Sequence, residues 1–333
     1  MEKILDIKDL KTYFYIDDKV VHAVDGISFS INMGETVSII GESGSGKSVT
    51  AYSIMGIIPK PYGKIKSGRI LFKGEDLLQK SEKELIKIRG NKISIVYQEP
   101  MNSLNPRLKI GYQLMECLMI HKKMKRKEAR RNAIEMLKIV NIPDPEKRYN
   151  SYPCELSGGM IQKVMIAMAL ICKPDLLILD EATTALDVTT QAEILSLVEE
   201  LKQKYNMSIL LITHDLGIVN QIADRVIVMY GGKVLESLPI NEITKEVLHP
   251  YTIGLMKCIP KIEEKKDVLY SIEGYIPDLN SRFELCPFHE RCEKKVEICD
   301  NYMPKLVEIK KDHLVRCLLY SEEVEKNYGN ASN

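Results

Sequence analysis

The pattern of apolar and polar positions changes character along the chain. From residue 4 to 40 it is strand-like. Ile27-Ser28-Phe29-Ser30-Ile31 alternates with period two, and Thr36-Val37-Ser38-Ile39-Ile40 is a short buried run that enters glycines. The spacing predicts a helix over 47–58, closed by Pro59, and another short strand over 92–97. Between 100 and 173 helical spacing dominates, with a helix expected over 163–171. From Leu176 onward the two periods alternate: LLILD, a helix over 189–205, SILLIT, and a helix over 216–223. VIVMY and KVLES follow, separated by Gly231-Gly232, a hairpin turn signal. This alternation predicts an α/β fold, a mainly parallel sheet with helices on both faces. The polar tail after Tyr320 is expected to fray.

Composition narrows the classes. At roughly 100–200 residues per domain, 333 residues suggest two domains, and 45% hydrophobic content supplies a core. Basic and acidic residues nearly cancel, 47 against 46, so no global field draws the chain to nucleic acid or an anionic membrane. A membrane-spanning helix needs about 20 mostly apolar residues, and the longest runs, 48–59 and 164–172, are shorter and bounded by lysines. The start, MEKILDIKDL, does not read as a signal peptide. The chain is therefore expected in the cytoplasm, with its eight cysteines as reduced thiols or metal ligands. The basic stretch 121–131 reads as a solvated helix face, with partner or headgroup contact as the sharper alternative.

Chemistry enters at Gly41-Glu42-Ser43-Gly44-Ser45-Gly46-Lys47-Ser48, which fits G-x-x-x-x-G-K-[ST] between a predicted strand and a predicted helix. Glycines let successive backbone N–H groups converge on phosphate oxygens, and the helix N-terminus adds positive potential. Lys47 is expected at the β- and γ-phosphates and Ser48 at Mg²⁺. Kinases, GTPases, helicases and transport ATPases all share such a loop. LLILD ends in Asp180 and is followed by Glu181, a buried strand delivering one carboxylate to Mg²⁺ (Asp180) and one to the attacking water (Glu181, general base). Between these halves Ser157-Gly158-Gly159 opens a helix, a second anion-binding element.

In this order and spacing the motifs resemble the nucleotide-binding subunit of ABC transporters, over roughly residues 1–255. The resemblance implies a P-loop ABC ATPase domain: a mostly parallel sheet, an antiparallel β-subdomain, and a helical subdomain at about 99–173. It implies Gln98 as the switch glutamine at Mg²⁺ or water, Ala185-Leu186-Asp187 as the D-loop, and His214 as the γ-phosphate histidine. It further implies an aromatic stacking on adenine. Tyr13, Phe14 and Tyr15 compete, and Tyr15 is favoured by its distance to the loop. Two such subunits would meet head to tail, each ATP lying between one subunit's loop and the other's Ser157-Gly158-Gly159.

Local runs resemble the oligopeptide/dipeptide permease branch, D-type subunit: QEPMNSLNP from Gln98, LSGGMIQKVMIAMAL from Leu156, and HPYT from His249. The branch also includes nickel and glutathione importers. It implies two membrane-spanning permease subunits, a second ATPase subunit (the F-type homologue), an extracytoplasmic solute-binding protein, no nucleic acid, and a peripheral place on the cytoplasmic side of the cell membrane. A soluble ABC ATPase of DNA repair or translation and a nucleotide kinase are the rivals from other classes.

The remaining signal is Cys286-x5-Cys292-x6-Cys299-x17-Cys317, with Phe288 and Arg291 inside it. Paired C-x₂₋₄-C spacings of zinc sites are absent. An irregular four-cysteine set suits a [4Fe–4S] cluster at least as well, with zinc and free thiols as alternatives. The branch carries a similar pattern, with Gly where this chain has Leu285, and the resemblance implies the cluster, in a small cysteine-rich extension over 256–333. Cys117, Cys154, Cys172 and Cys258 are expected to be isolated buried thiols.

Overall fold

The computed structural model describes residues 2–98, 103–182, 187–258, 270–280 and 283–321. Along the chain run β1 (Lys3–Ile16), β2 (Lys19–Asn32), β3 (Thr36–Ile40), α1 (Lys47–Met55), β4 (Gly63–Phe72), β5 (Glu75–Asp76), α2 (Glu82–Ile88) and β6 (Ile93–Val96). There follow α3 (Ile110–His121), α4 (Arg126–Ile139), α5 (Pro145–Arg148), α6 (Gly158–Leu170), β7 (Leu176–Asp180), α7 (Val188–Tyr205) and β8 (Ser208–Ile212). The last part holds α8 (Leu216–Ile222), β9 (Arg225–Tyr230), β10 (Lys233–Pro239), α9 (Pro250–Lys257), β11 (Val307–Lys310) and β12 (His313–Val315). Two compact units result, one from Met1–Leu5, Ser30–Thr36 and Leu71–Ile212, the other from Asp6–Phe29, Val37–Ile70 and Thr213–Asn333.

The first unit holds the parallel strands β6, β7 and β8, in register from Ile93↔Leu176 to Val96↔Leu179 and from Leu176↔Ser208 to Asp180↔Ile212. Every residue of β7 and β8 is buried. Strands covered on both faces need continuous apolar runs rather than alternation, which LLILD and SILLI supply. Helices α3, α4 and α6 pack on one another. In α4, Ala129, Ala133, Met136 and Leu137 recur on one face and are buried, while Lys125, Arg126, Lys127, Arg130 and Arg131 are exposed. From Arg126 to Arg131 the basic run lies on the exposed side of α4, while residues 122–125 lie between α3 and α4. Helix α6 begins at Gly158, five residues earlier than the spacing suggests, because Ser157 caps it and the glycines are its first turn.

In the second unit β2, β1 and β4 lie side by side. Strand β3 runs parallel to β9, from Val37↔Arg225 to Ile40↔Val228, and β9 turns at Gly231-Gly232 into antiparallel β10. Helix α1 stops at Met55 rather than reaching Pro59. Gly56 takes a left-handed backbone, and its N–H closes on Tyr52 and Ser53 carbonyls, ending the helix first. A hairpin that the apolar pattern does not announce, β11–β12, adds to β10 through Glu236↔Val315 and Ser237↔Leu314. Phe288 joins Ile40, Val228, Tyr230, Leu235 and Tyr251 in one buried cluster, with Cys286 and Cys292 packed against it. The segment after α9 thereby shares the core of β3, β9 and β10, which a piece this small could not build alone.

Candidate functional site

The phosphate loop lies in the second unit, between β3 and α1, and its shape is set by backbone. Gly46 holds φ +100° at the N-cap of α1, and a Cβ there would meet the Ala23 carbonyl oxygen at 2.3 Å. A Cβ on Gly41 would meet the Met229 carbonyl oxygen at 2.1 Å. Only glycine lets the chain pass these points. Ser45 N–H donates to the Glu42 carbonyl at 3.2 Å, and Gly232 N–H donates to the Ser45 carbonyl at 3.1 Å. Lys47 opens α1 and is buried, and its Nζ donates to the Gly41 carbonyl at 2.8 Å and the Glu42 carbonyl at 3.0 Å. Ser43 and Gly44 are exposed at the loop tip, and Ser48 is half-buried in the first helical turn. A helix N-terminus with an ammonium beside it favours a polyanion.

The same unit carries His214, exposed on the segment that Thr213 N–H fastens to the Ile39 carbonyl, one residue before the end of β3. Asp215 caps α8 by accepting from Gly217 and Ile218 N–H. Of the three competing aromatics, Tyr13 is committed to the fold. Its hydroxyl donates to Asp25 at 2.7 Å and its ring meets His22 edge-on. Asp25 in turn pairs with buried Lys233 at 2.8 Å. Tyr15 is half-buried, with the Lys64 ammonium 5.4 Å from its ring centre.

The carboxylate half lies in the first unit. Asp180 is buried at the end of β7. Glu181 follows with φ +47°, a left-handed conformation that costs a glutamate about 1–2 kcal/mol. Its N–H donates to the Ile212 carbonyl at 2.9 Å. Its Oε2 accepts from Gln98 Nε2 at 3.0 Å, so two residues singled out from sequence are brought together. Ser157 caps α6, accepting from Met160 N–H at 3.4 Å, and Ser157 and Gly158 are exposed. Gly159 sits so that a Cβ would meet the Thr190 methyl at 3.2 Å. Asp187 caps α7, accepting from Thr190 N–H at 3.0 Å and Thr190 Oγ1 at 2.7 Å. These bonds, the backbone one first, hold its carboxyl below the usual range. Ala185 and Leu186 lie outside the described residues. Fully buried Gln162 ties α6 to the Ala182 carbonyl, next to Glu181, a role that only its offset from the Ser-Gly-Gly run could have suggested.

Cys286, Cys292, Cys299 and Cys317 line one small cavity of about 20 Å³ together with His249. Burial pushes the Cys286 and Cys317 thiols up to about 12. Burial pushes His249 down to about 3, so its ring is neutral. Its Nδ1 accepts from Tyr251 N–H at 3.0 Å, which leaves the ring proton on Nε2, 3.9 Å from Cys286 Sγ. Among the described residues no three His, Cys, Asp or Glu side chains are arranged to hold a metal ion as they stand. The other four thiols correct one expectation: Cys172 alone is buried, Cys154 is exposed, and Cys172 Sγ reaches the Cys117 carbonyl at 3.7 Å. No described helix is long and apolar enough to cross a membrane.

Comparison with known proteins places this geometry. Residues 24–184 match the ABC transporter family, and residues 235–299 match the oligopeptide/dipeptide transporter C-terminal region. The chain is 50% identical to the oligopeptide transport ATP-binding protein AppD of Bacillus subtilis, over 97% of this chain and 98% of that protein. It is 48% identical to the dipeptide transport ATP-binding protein DppD of the same organism, over 98% and 97%. It is 44% identical to the oligopeptide transport ATP-binding protein OppD of Escherichia coli, over 97% and 95%. Among solved structures it is similar to an ATP-binding cassette dimer bound to ADP and Pi (TM-score 0.64, 28% identity, 71% of this chain and 98% of that one). It is also similar to cbiO1 of Clostridium perfringens, part of an ABC transporter complex (TM-score 0.63, 32% identity, 74% and 92%).

Proposed function

Because the chain belongs to the ABC transporter family, among the ATP-binding subunits of oligopeptide and dipeptide transporters, we propose that its ATP hydrolysis powers uptake of oligopeptides or dipeptides across the cell membrane. The observation that carries this reading is the pairing, in one chain, of an ABC ATPase match with a peptide-transporter C-terminal match. Residues 1–255 would form the nucleotide-binding domain, with a helical subdomain at about 99–173, and 256–333 the extension. The chain would sit on the cytoplasmic side of the membrane against two permease subunits, beside an F-type second ATPase subunit, and be fed by an extracytoplasmic binding protein.

Lys47 and backbone N–H groups of the loop and of the first turn of α1 hold the β- and γ-phosphates, and Tyr15 stacks on adenine. Oxygen donors suit a hard cation. Ser48, Asp180 and Gln98 would hold Mg²⁺, which supplies charge neutralisation on the phosphates when bound. Glu181 takes the proton of the attacking water. The water oxygen bonds to the γ-phosphorus, the bond to the β,γ-bridging oxygen breaks, and ADP leaves with its electron pair. His214 orients the γ-phosphate. Ser157, Gly158 and Gly159, with Asp187, close on the partner subunit's nucleotide. Labelled di- and oligopeptide uptake, alongside nickel, in cells lacking the chain is the test. Wild type but not Glu181→Gln is expected to restore peptide uptake, and restoration of nickel uptake alone would overturn the substrate.

The four extension cysteines are proposed to hold a [4Fe–4S] cluster. Four sulfurs on one cavity fit as a donor set, and His249 Nε2–H faces the Cys286 sulfur as a donor rather than as a ligand. Loading requires the thiols to lose protons and turn inward, since burial alone favours the protonated form. The cluster would crosslink the extension. Anaerobically purified chain is expected to contain iron and sulfide. Zinc in their place, or neither metal, would reject the cluster.

A further inference from the structure

Among the described residues of the extension, one arginine with four hydrogen-bond acceptors points at the phosphate loop. The Arg291 side chain is 7% exposed, and its guanidinium donates in four directions. Nη1 donates to Glu42 Oε2 at 2.9 Å and to Tyr230 Oη at 3.0 Å. Nη2 donates to the Ile272 carbonyl at 3.0 Å, and Nε to the Glu273 carbonyl at 2.9 Å. The Tyr230 and Phe288 rings flank it, 5.7 and 5.9 Å from the guanidinium carbon.

Glu42 is the second residue of the phosphate loop, and it is held twice. Arg291 takes its carboxylate. The hydroxyl of Tyr251, a fully buried residue of α9, accepts from its backbone N–H at 2.9 Å. That N–H is therefore spent on the fold rather than offered to phosphate. The Glu42 carbonyl then accepts from Lys47 Nζ at 3.0 Å and from Ser45 N–H at 3.2 Å. A continuous chain of polar contacts runs from the Arg291 guanidinium through Glu42 to the ammonium assigned to the β- and γ-phosphates. The residue after Arg291 is Cys292, which lines the cysteine cavity.

We propose that Arg291 is a positioning residue of the nucleotide site, fixing Glu42 and through it Lys47, so that the extension sets the affinity of the phosphate loop for ATP. The proposal rests on the reading of this loop as the ATP site. Only a planar fork can reach a carboxylate, a hydroxyl and two carbonyls at once, so lysine at 291 cannot substitute. A loop whose anchor is loose must pay ordering entropy when the nucleotide binds, which appears as weaker binding.

The test is titration of the purified full chain with a fluorescent ATP analogue and Mg²⁺, at a temperature where circular dichroism shows each variant folded. Arg291→Lys and Glu42→Gln are each expected to weaken binding about tenfold, the scale of one charged hydrogen bond. The double variant is expected to be no weaker than either single one, because both break the same link. Arg316→Lys is the control. Arg316, in the same extension, donates to the Val234 carbonyl of β10 and to the Pro304 carbonyl, so Arg316→Lys is expected to lower Tm and leave affinity within twofold. Wild-type affinity in both Arg291→Lys and Glu42→Gln, or effects that multiply in the double variant, would overturn the proposal. If Arg291→Lys does not fold, Glu42→Gln decides, since it changes no volume. A wild-type chain that fails to bind the analogue would instead sink the ATP-site reading.

Discussion

In the phosphate loop, eight consecutive residues make the site from their own backbone. In the cysteine cavity, four sulfurs spread from 286 to 317 make it from side chains that tertiary structure must bring together. Both lie in one compact unit. The loop takes its shape from two glycines that tolerate close carbonyls and from a helix that starts on cue. The cavity has no such local code. Its walls come from short turns, from Pro304, Leu318 and Leu319, and from His249 at the start of α9. A site built of backbone can be read from spacing, whereas a site built of side chains depends on what anchors the segments that carry them.

The sharpest way to break this contrast is thiol reactivity. At pH 7.5 an ordinary thiol near 8.5 carries about a thousandfold more thiolate than one near 12. In metal-free chain, iodoacetamide is expected to label solvent-exposed Cys154 well ahead of Cys286 and Cys317, whose thiols burial pushes up to about 12. Raising the pH by one unit should speed Cys286 labelling tenfold. Comparable rates at all three sites would show that the cavity does not bury its sulfurs.

Next comes the anchor of the extension. The Glu236 carboxylate is fully buried and accepts from Leu248 N–H at 2.7 Å, His249 N–H at 3.1 Å and His313 Nε2 at 2.8 Å. Glu236→Ala strands these donors and is expected to cost about 3–5 kcal/mol in denaturant unfolding. A loss under about 1 kcal/mol would mean that β12 is held by apolar packing alone.

Gly46→Ala probes the loop side. It combines an unfavourable φ with a Cβ 2.3 Å from a backbone oxygen, and is expected to weaken ATP binding about a hundredfold. Gly44→Ala, also at positive φ but with open space around it, should stay within about tenfold of wild type, the cost of the conformation alone. Equal losses would remove the steric argument.

The smallest effect is pH-dependent. Burial opposes protonation of His313, but Glu236 and Glu242 outweigh it and raise its pKa. A folded chain that holds this proton more tightly than the unfolded chain gains stability fully below about pH 6.5 and loses it as pH rises through the folded pKa. Wild type should therefore exceed His313→Gln in stability at pH 6, and the gap should narrow at pH 9. A constant gap would show that the imidazolium is not what binds the two carboxylates.

Much of this was legible in the chain. Five-residue apolar runs gave β3, β7 and β8, and Gly231-Gly232 gave the β9–β10 turn, because local preference and tertiary role agree there. Glycine misled at both ends of helices. It hid the first turn of α6 behind an apparent loop, and at Gly56 it closed α1 before the proline did. Hairpin β11–β12 escaped because VEIK is mostly exposed and its strand identity comes from pairing with β12, which itself pairs with β10. The bond from the Tyr13 hydroxyl to Asp25 is likewise tertiary, and no local pattern announces it. Nothing in the pattern could join Arg291 to Glu42, since 249 positions separate them.

The most direct measurement is phosphate release by the assembled transporter carrying wild type or Glu181→Gln, run beside ATP binding. Removing a general base costs about 10²–10⁴ in rate. Glu181→Gln is expected still to bind ATP and to release phosphate at least a hundredfold more slowly. Release near the wild-type rate would contradict it, and would take the proton from the water somewhere other than Glu181.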